Sequence, residues 1–212
     1  MIIAVDGPTA SGKGTIAKAL AAHFGLPHLD TGLLYRAVGR QVALNEGDPD
    51  DEHDAAAACQ FLNALLEDPI LRSEEVGGLA SRVSVHPSVR QALFDRQRAF
   101  ADQVGGAVLD GRDIGTVIAP DADVKLFITA SVQERARRRW LEMTKTHLGD
   151  EDEIPLSEIE QDIVRRDARD INRADAPLKA APDAMVIDTT SFDRDQAIEA
   201  VVETVETVLS QL

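Results

Sequence analysis

Asp6-Gly7-Pro8-Thr9-Ala10-Ser11-Gly12-Lys13-Gly14-Thr15 follows directly on the apolar run Ile2–Val5. Gly7 and Gly12-Lys13 have the spacing of a phosphate-binding loop, although Gly14 stands where Ser or Thr is usual and Thr15 comes one place later. The chemistry needs these residue types. The glycines let the backbone curl from Pro8, which has no N–H of its own, so that the successive N–H groups of Thr9, Ala10 and Ser11 point at an anion. The helix that follows adds its positive N-terminal end, and Lys13 can reach the terminal phosphates. A loop of this kind between an N-terminal strand and a helix predicts an α/β protein that holds a nucleoside triphosphate.

Outward from the loop, short apolar runs recur at Pro27–Leu29, Ala107–Leu109, Val124–Ile128 and Met185–Ile187. Like Ile2–Val5 they are brief and do not alternate, as expected of strands buried on both faces. Amphipathic stretches lie between them: Gly14–Phe24, Leu33–Leu44, Ala55–Leu66, Ser88–Val104, Ser131–Thr146 and Leu156–Arg169. Ile198, Val201, Val202, Val205, Val208 and Leu209 then recur at helical spacing, with Thr190 or Ser191 as the expected N-cap. The predicted fold is a five-stranded parallel sheet covered by helices on both faces. Asn45–Asp54 and Leu148–Pro155 break the pattern as acidic loops. The first reads as solvated surface, and the second sits between arginine-rich helices.

The chain has 212 residues, 22 Lys plus Arg against 37 Asp plus Glu, a net charge of −15 and a pI near 4.6. So acidic a chain argues against a nucleic-acid or anionic-membrane binder. One cysteine, Cys59, suits a reducing compartment, and the cytosol is expected. No basic leader or membrane-length apolar run stands out, so neither a targeting segment nor a membrane partner is expected. Five histidines at 23, 28, 53, 86 and 147 show no ligand spacing, and no structural zinc is expected.

A phosphate loop does not name a reaction. A GTPase needs Asn-Lys-x-Asp, and none of Asn45, Asn63 and Asn172 is followed by lysine. A motor-type ATPase needs an apolar run ending in Asp-Glu, also missing. What remains is a transferase, and the arginines point to its acceptor. Transfer to a hydroxyl needs a base, whereas transfer to another phosphate needs only cancellation of anion repulsion. Arg36, Arg112, Arg139, Arg166 and Arg173 suit the second task, as bidentate clamps for two nucleotides' phosphates. Arg166, Asp170 and Arg173 stand at i, i+4 and i+7, so one helical face would present two guanidiniums around a carboxylate. The alternative is a local salt-bridge lattice with Asp162, Asp167 and Asp170. Two Arg-rich helices joined by an acidic loop read as a lid that excludes water.

DGPTASGKGT (6–15), LDTGLLYR (29–36), SVRQALFDRQRAF (88–100), LDGRDIGTV (109–117), ERARRR (134–139) and RRDARDINRADAPL (165–178) together resemble the bacterial cytidylate kinases, nucleoside monophosphate kinases that phosphorylate CMP and dCMP with ATP. DGRD followed by IGTV, and the RDxRDxNR stretch at 166–173, are the specific signals. The resemblance implies one P-loop kinase domain over 1–212, with a core of 1–30, 87–140 and 174–212, a monophosphate-binding lobe of 31–86 and a lid of 141–173. It implies that Gly7–Thr15 and Lys13 hold ATP, with Arg135 and Arg139 closing over it. Mg²⁺ would arrive with ATP, oriented through water by Asp110 and touched by Thr15. Thr31 and Arg36 would meet the acceptor's sugar and phosphate, with Arg112 as a second clamp. Ser81, Arg90 and Asp113 would read the base, and Asp170, flanked by Arg166 and Arg173, the sugar. Lys13, Arg112, Arg139 and Arg166 would carry the catalysis, in a monomer. Bacterial members usually carry a small antiparallel sheet in the acceptor lobe. Here Phe61–Val85 is short and helical in pattern, with only Val83–Val85 looking extended, so the insert is expected to be truncated. Rival readings are a kinase for another monophosphate or a small acid such as shikimate, and a nucleotide sensor that performs no transfer.

Overall fold

The structure is a computed structural model that describes residues 1–146 and 154–211. Five strands form one parallel sheet in the order β2-β3-β1-β4-β5: β1 Ile2–Asp6, β2 His28–Asp30, β3 Ala107–Gly111, β4 Val124–Thr129 and β5 Met185–Asp188. The register sets Val5 beside Asp110 and Asp6 beside Gly111, which brings the carboxyl ends of β1 and β3 to one edge. The helices are α1 Lys13–Phe24, α2 Thr31–Leu44, α3 Glu52–Ala57, α4 Glu74–Val83, α5 Pro87–Ala101, α6 Val132–Thr146, α7 Leu156–Asn172 and α8 Arg194–Leu209. None of the described helices is long and apolar enough to cross a membrane.

The apolarity of the central strands β1, β3 and β4 has a direct cause, since both of their faces are covered; the edge strands β2 and β5 are only partly buried, contrary to expectation. Ile3 and Val5 of β1 turn to one side and pack with Ile16 and Leu20 of α1 and Val201 and Val205 of α8. Ala4 turns to the other side, with Leu109, Ala101 and Ile114. A separate apolar cluster joins Leu34, Val38 and Val42 of α2 to Ala55, Val83, Val89 and Leu93. A smaller one holds Ala136, Ile159 and Ile163 together with Trp140 and Met143, so α6 and α7 pack as a pair.

Three further expectations need correction. The stretch Ala55–Leu66 is not one helix. Asp51 caps α3 by accepting from the His53 and Asp54 amides, and the helix ends at Ala57. The chain then makes two 3₁₀ turns, Asn63–Glu67 and Pro69–Arg72, which carry Leu65 and Leu66 to Leu71, Ala37 and Val76. Val83–Val85 is not extended: Val83 closes α4 inside the α2 cluster, and no strand occurs among residues 61–85. The cap of α8 is Asp193, not Thr190 or Ser191. Its carboxylate accepts from Asp195 and Gln196, while the Gln196 side chain accepts from the Asp193 amide, a complete capping box. Most of the acidic loop 148–155 lies outside the described residues. In the other acidic loop Asp48 and Asp50 pair with Arg82 of α4 at 3.0 and 2.5 Å, so that loop is exposed but tied down.

Candidate active site

The first link is the loop between β1 and α1. Gly12 has φ 88 and Ala10 φ 58, left-handed conformations that turn the chain around a hollow at the N-terminus of α1. A side chain at Gly7 would run into the Ile128 carbonyl of β4, so only glycine lets β1 turn there. Ser11 is fully buried and its hydroxyl has no hydrogen-bond partner. Lys13 is buried, with Nζ 3.3 Å from the Pro8 carbonyl that it donates to. Burial, and then Arg112, pull its pKa down to about 8, against Asp110, Asp30 and Asp170.

In front of this loop opens a cleft of about 660 Å³. Its walls bring together, from seven different segments, Lys13, Thr31, Arg36, Ser81, Asp110, Arg112, Asp113, Arg139, Arg166, Asp170 and Arg173, with Thr9 to Thr15 at the base. The cationic groups in it are held by other residues of the chain. Arg36 donates to the Leu71 and Ser73 carbonyls at 2.6 and 2.8 Å. Arg112 donates to Asp170 at 2.8 Å and to the Thr9 hydroxyl at 3.1 Å. Burial works against the Arg112 charge, but Asp170, Asp167 and Asp110 hold its pKa above the usual value. Arg166 pairs with Asp162 and Glu74, and Arg139 with Glu74 and Glu142. Asp113 sits between Arg90 and Arg173, and burial followed by the Arg90 charge lowers the Arg173 pKa.

Four expected residues are not in the wall: Gly7 and Pro8 at the start of the loop, and Arg90 and Arg135, which stand behind it. Arg90 is buried in α5 between Asp113 and Asp175, with Tyr35 Oη 3.4 Å from its third nitrogen. Arg135 braces the phosphate loop from the rear: it donates to the Thr9 and Ala130 carbonyls at 2.8 and 2.9 Å and pairs with Asp167 at 2.7 Å. Thr31 lines the cleft, but its hydroxyl donates to the Asp110 carbonyl at 2.8 Å. Ser81 lines it too, with a buried hydroxyl that has no partner. Trp140 packs between α6 and α7, and Cys59 sits partly buried beside the α2 cluster, its thiol pushed up to about 11 by burial.

Sequence reasoning passed over three acids and a histidine. Asp6 accepts from the Ile114 and Gly115 amides, both at 2.8 Å, and so ties β1 to the π-helical turn Ile114–Ile118 that follows Arg112 and Asp113. Burial still pushes its carboxyl up to about 6. Asp30 ends β2 and lines the cleft, its pKa raised by burial and by Asp110. His28 shares a 2.7 Å hydrogen bond with Asp110. Glu74 bridges two of the arginines. Asp6 and Asp30 were legible in principle, since each ends a strand at the carboxyl edge where open α/β sheets bind ligands. The donor set at the base of the cleft suits Mg²⁺. Asp110 Oδ2 comes within 3.6 Å of the β-position of Gly14 and interacts electrostatically with Asp30, and Thr15 lines the same cleft, so the oxygens offered are hard ones.

A phosphate loop on a parallel sheet, facing arginines from helices on the far side of a cleft, defines a P-loop phosphotransferase of the nucleotide kinase type. One solved structure, of an uncharacterized protein from Eubacterium ventriosum, shares the fold with a TM-score of 0.55 and 15% identity over 98% of each chain. The family model described as cytidylate kinase matches residues 3–207, and the chain belongs to that family. Curated cytidylate kinases from Rhodopseudomonas palustris (strain TIE-1), Methylocella silvestris and Cereibacter sphaeroides are 51%, 51% and 54% identical to it. Those alignments cover 98%, 100% and 96% of this chain and 97%, 97% and 94% of the relatives.

Proposed function

We propose that the protein transfers the γ-phosphoryl group of ATP to CMP or dCMP, giving ADP and CDP or dCDP. The observation that carries this reading is the meeting of Lys13 with Arg36, Arg112, Arg139 and Arg166 around one cleft, cations enough for two phosphate chains. The donor's phosphates lie in the curl from Gly7 to Thr15, against its amides and Lys13, with Arg135 stiffening the loop from behind. Thr15 and Asp110 would hold Mg²⁺, which would supply positive charge among the phosphates when bound.

The acceptor's phosphate lies between Arg36, Arg112 and Arg166, within reach of Arg139. An oxygen of that phosphate forms the new bond to the γ-phosphorus while the bond to the ADP oxygen breaks. The attacking oxygen is already anionic at neutral pH, so no base is required. The chain supplies position and charge, and holding two reactants in line is worth about 7–11 kcal/mol. Thr31, Asp170 and Arg173 serve the sugar side. Ser81, Arg90 and Asp113 serve the base: the Asp113 carboxylate accepts from an exocyclic amino group, which cytosine has and uracil lacks. Segment 31–86 acts as the acceptor lobe and 141–173 as the lid, on a core of 1–30, 87–140 and 174–212. One chain holds every residue named, so a monomer suffices.

ADP release with CMP, dCMP, UMP, AMP and shikimate as acceptors tests the reading. CMP and dCMP are expected to raise the rate at least a hundredfold over ATP alone. A preference for AMP or shikimate would move the chain to another acceptor, and ATP binding without acceptor-dependent turnover would make it a sensor.

A further inference from the structure

Glu74 is the first residue of α4 and reaches across to the arginines of the other two helices at this end of the cleft. One carboxylate oxygen meets Arg139 of α6, and the other lies 2.8 Å from Arg166 of α7. The Glu74 carbonyl accepts from the same Arg166 nitrogen at 3.2 Å. Arg36 of α2 stands alongside. A β-carbon built on Gly77, one turn on from Glu74, would lie 2.9 Å from nitrogens of both Arg36 and Arg166. The two guanidiniums therefore converge over α4, and a larger residue at 77 would push them apart. Burial, and then Arg166, pull the Arg36 pKa down to about 10, while Glu74 pulls it up.

Two other carboxylates touch this group. Asp162 lies 2.6 Å from Arg166, one turn back on the same helix, and Glu142 lies 3.0 Å from Arg139, three residues along. Asp162, which also lies 3.6 Å from Arg165, and Glu142 pair here with arginines of their own helices, whereas Glu74 comes from a third helix and joins arginines of two others. Three partly desolvated guanidiniums repel one another and need a counter-charge when no nucleotide is present. A carboxylate offers a guanidinium the same pair of oxygens as a phosphate does.

We propose that Glu74 is a built-in counter-anion of the arginine cradle, occupying between Arg139 and Arg166 the place of a phosphate oxygen and yielding it when the acceptor binds. This rests on the reading of the cleft as a phosphoryl-transfer site. The bridge keeps the empty cradle assembled, at the cost of competing with the substrate. A lone small anion gains little by displacing it, whereas a nucleotide brings further contacts. Once displaced, the carboxylate still lies at the N-terminus of α4, where the helix dipole favours it.

Glu74→Gln keeps the shape of the side chain and removes its charge. Titration calorimetry at low ionic strength, with inorganic phosphate and with CMP as probes, is compared with KM and kcat for CMP. Both dissociation constants are expected to fall at least threefold in the variant, and KM for CMP with them. Unchanged or weaker binding of both probes, or a raised KM with a lowered kcat, would mean that Glu74 positions the arginines without competing, and would overturn the proposal. Glu74→Asp keeps the charge but is one methylene too short to span both arginines. It is expected to bind inorganic phosphate more tightly than the parent, and it decides the matter with the same readout if the glutamine variant does not fold. Should the parent fail to phosphorylate CMP, the functional reading falls, while the phosphate titration still judges Glu74.

Discussion

At the scale of the residue, Lys13 has a definite pH signature. Burial, and then Arg112, hold its pKa near 8 in the nucleotide-free protein, below the 10.5 of an unfolded chain. Phosphate binding needs the protonated form, so above pH 8 ATP has to bind together with a proton. Its affinity should weaken by up to about tenfold per pH unit beyond that point. Calorimetry at pH 7 and pH 9, in buffers of different ionisation enthalpy, is expected to show weaker binding and proton uptake at pH 9; equal affinity without uptake would contradict the assignment. The linked stability has a fixed sign. Between about 8 and 10.5 the folded protein holds fewer protons than the unfolded chain, so the Lys13 contribution to stability rises with pH. Asp6 does the opposite: its folded pKa of about 6 lies above 3.8, so its contribution falls as pH rises through that window.

At the scale of the element, the seam between α2 and α4 carries both Arg36 and Glu74. A β-carbon at Gly39 of α2 would lie 2.8 Å from Leu79 Cβ and 3.0 Å from the Ala80 amide nitrogen, with no flexible atom to give way. Gly39→Ala is expected to cost about 1–3 kcal/mol and lower Tm by several degrees. It should also raise KM for CMP, because the two helices carry the cradle; an unchanged melting temperature would refute this packing. The central strands β1, β3 and β4 were legible in the sequence because each is buried on both faces, which leaves a plain apolar run, whereas the edge strands β2 and β5 are partly exposed, as at Val186 of β5. The alanine run at 55–58 has the composition of a helix, but Leu65 and Leu66 are needed against Leu71 and Ala37, and this tertiary demand cut the helix short. Val83 reads as extended only because its partners in the α2 cluster are distant in sequence. Asp193 was missed as a cap because Thr190 and Ser191 come first, yet the Thr190 hydroxyl is taken up by Asp188.

At the scale of the whole molecule, a chain of net charge −15 brings Lys13, Arg36, Arg112, Arg139, Arg166 and Arg173 to one cleft and sets a carboxylate or a carbonyl against each of the six. The identities of these arginines were legible, because the sequence sets Arg139, Arg166 and Arg173 in short basic groups and Arg36 and Arg112 in the turns Tyr35-Arg36 and Asp110-Gly111-Arg112-Asp113. Their partners were not. Arg112 meets Asp170 across 58 residues, Arg90 meets Asp175 across 85 and Arg166 meets Glu74 across 92, pairings that only the assembled fold decides. For the same reason nothing in the spacing distinguished Arg90 and Arg135, which stand behind the wall, from Arg112 and Arg166, which stand in it.

The central claim is that guanidiniums opposite the phosphate loop allow two anions to meet. Steady-state kinetics of Arg112→Ala and Arg166→Ala with ATP and CMP test it most directly. Each variant is expected to lose about a hundredfold or more in kcat/KM, about 2.7 kcal/mol of transition-state stabilisation, with its fold intact by circular dichroism. Turnover within about threefold of the parent in both variants, under about 0.7 kcal/mol, would contradict the account.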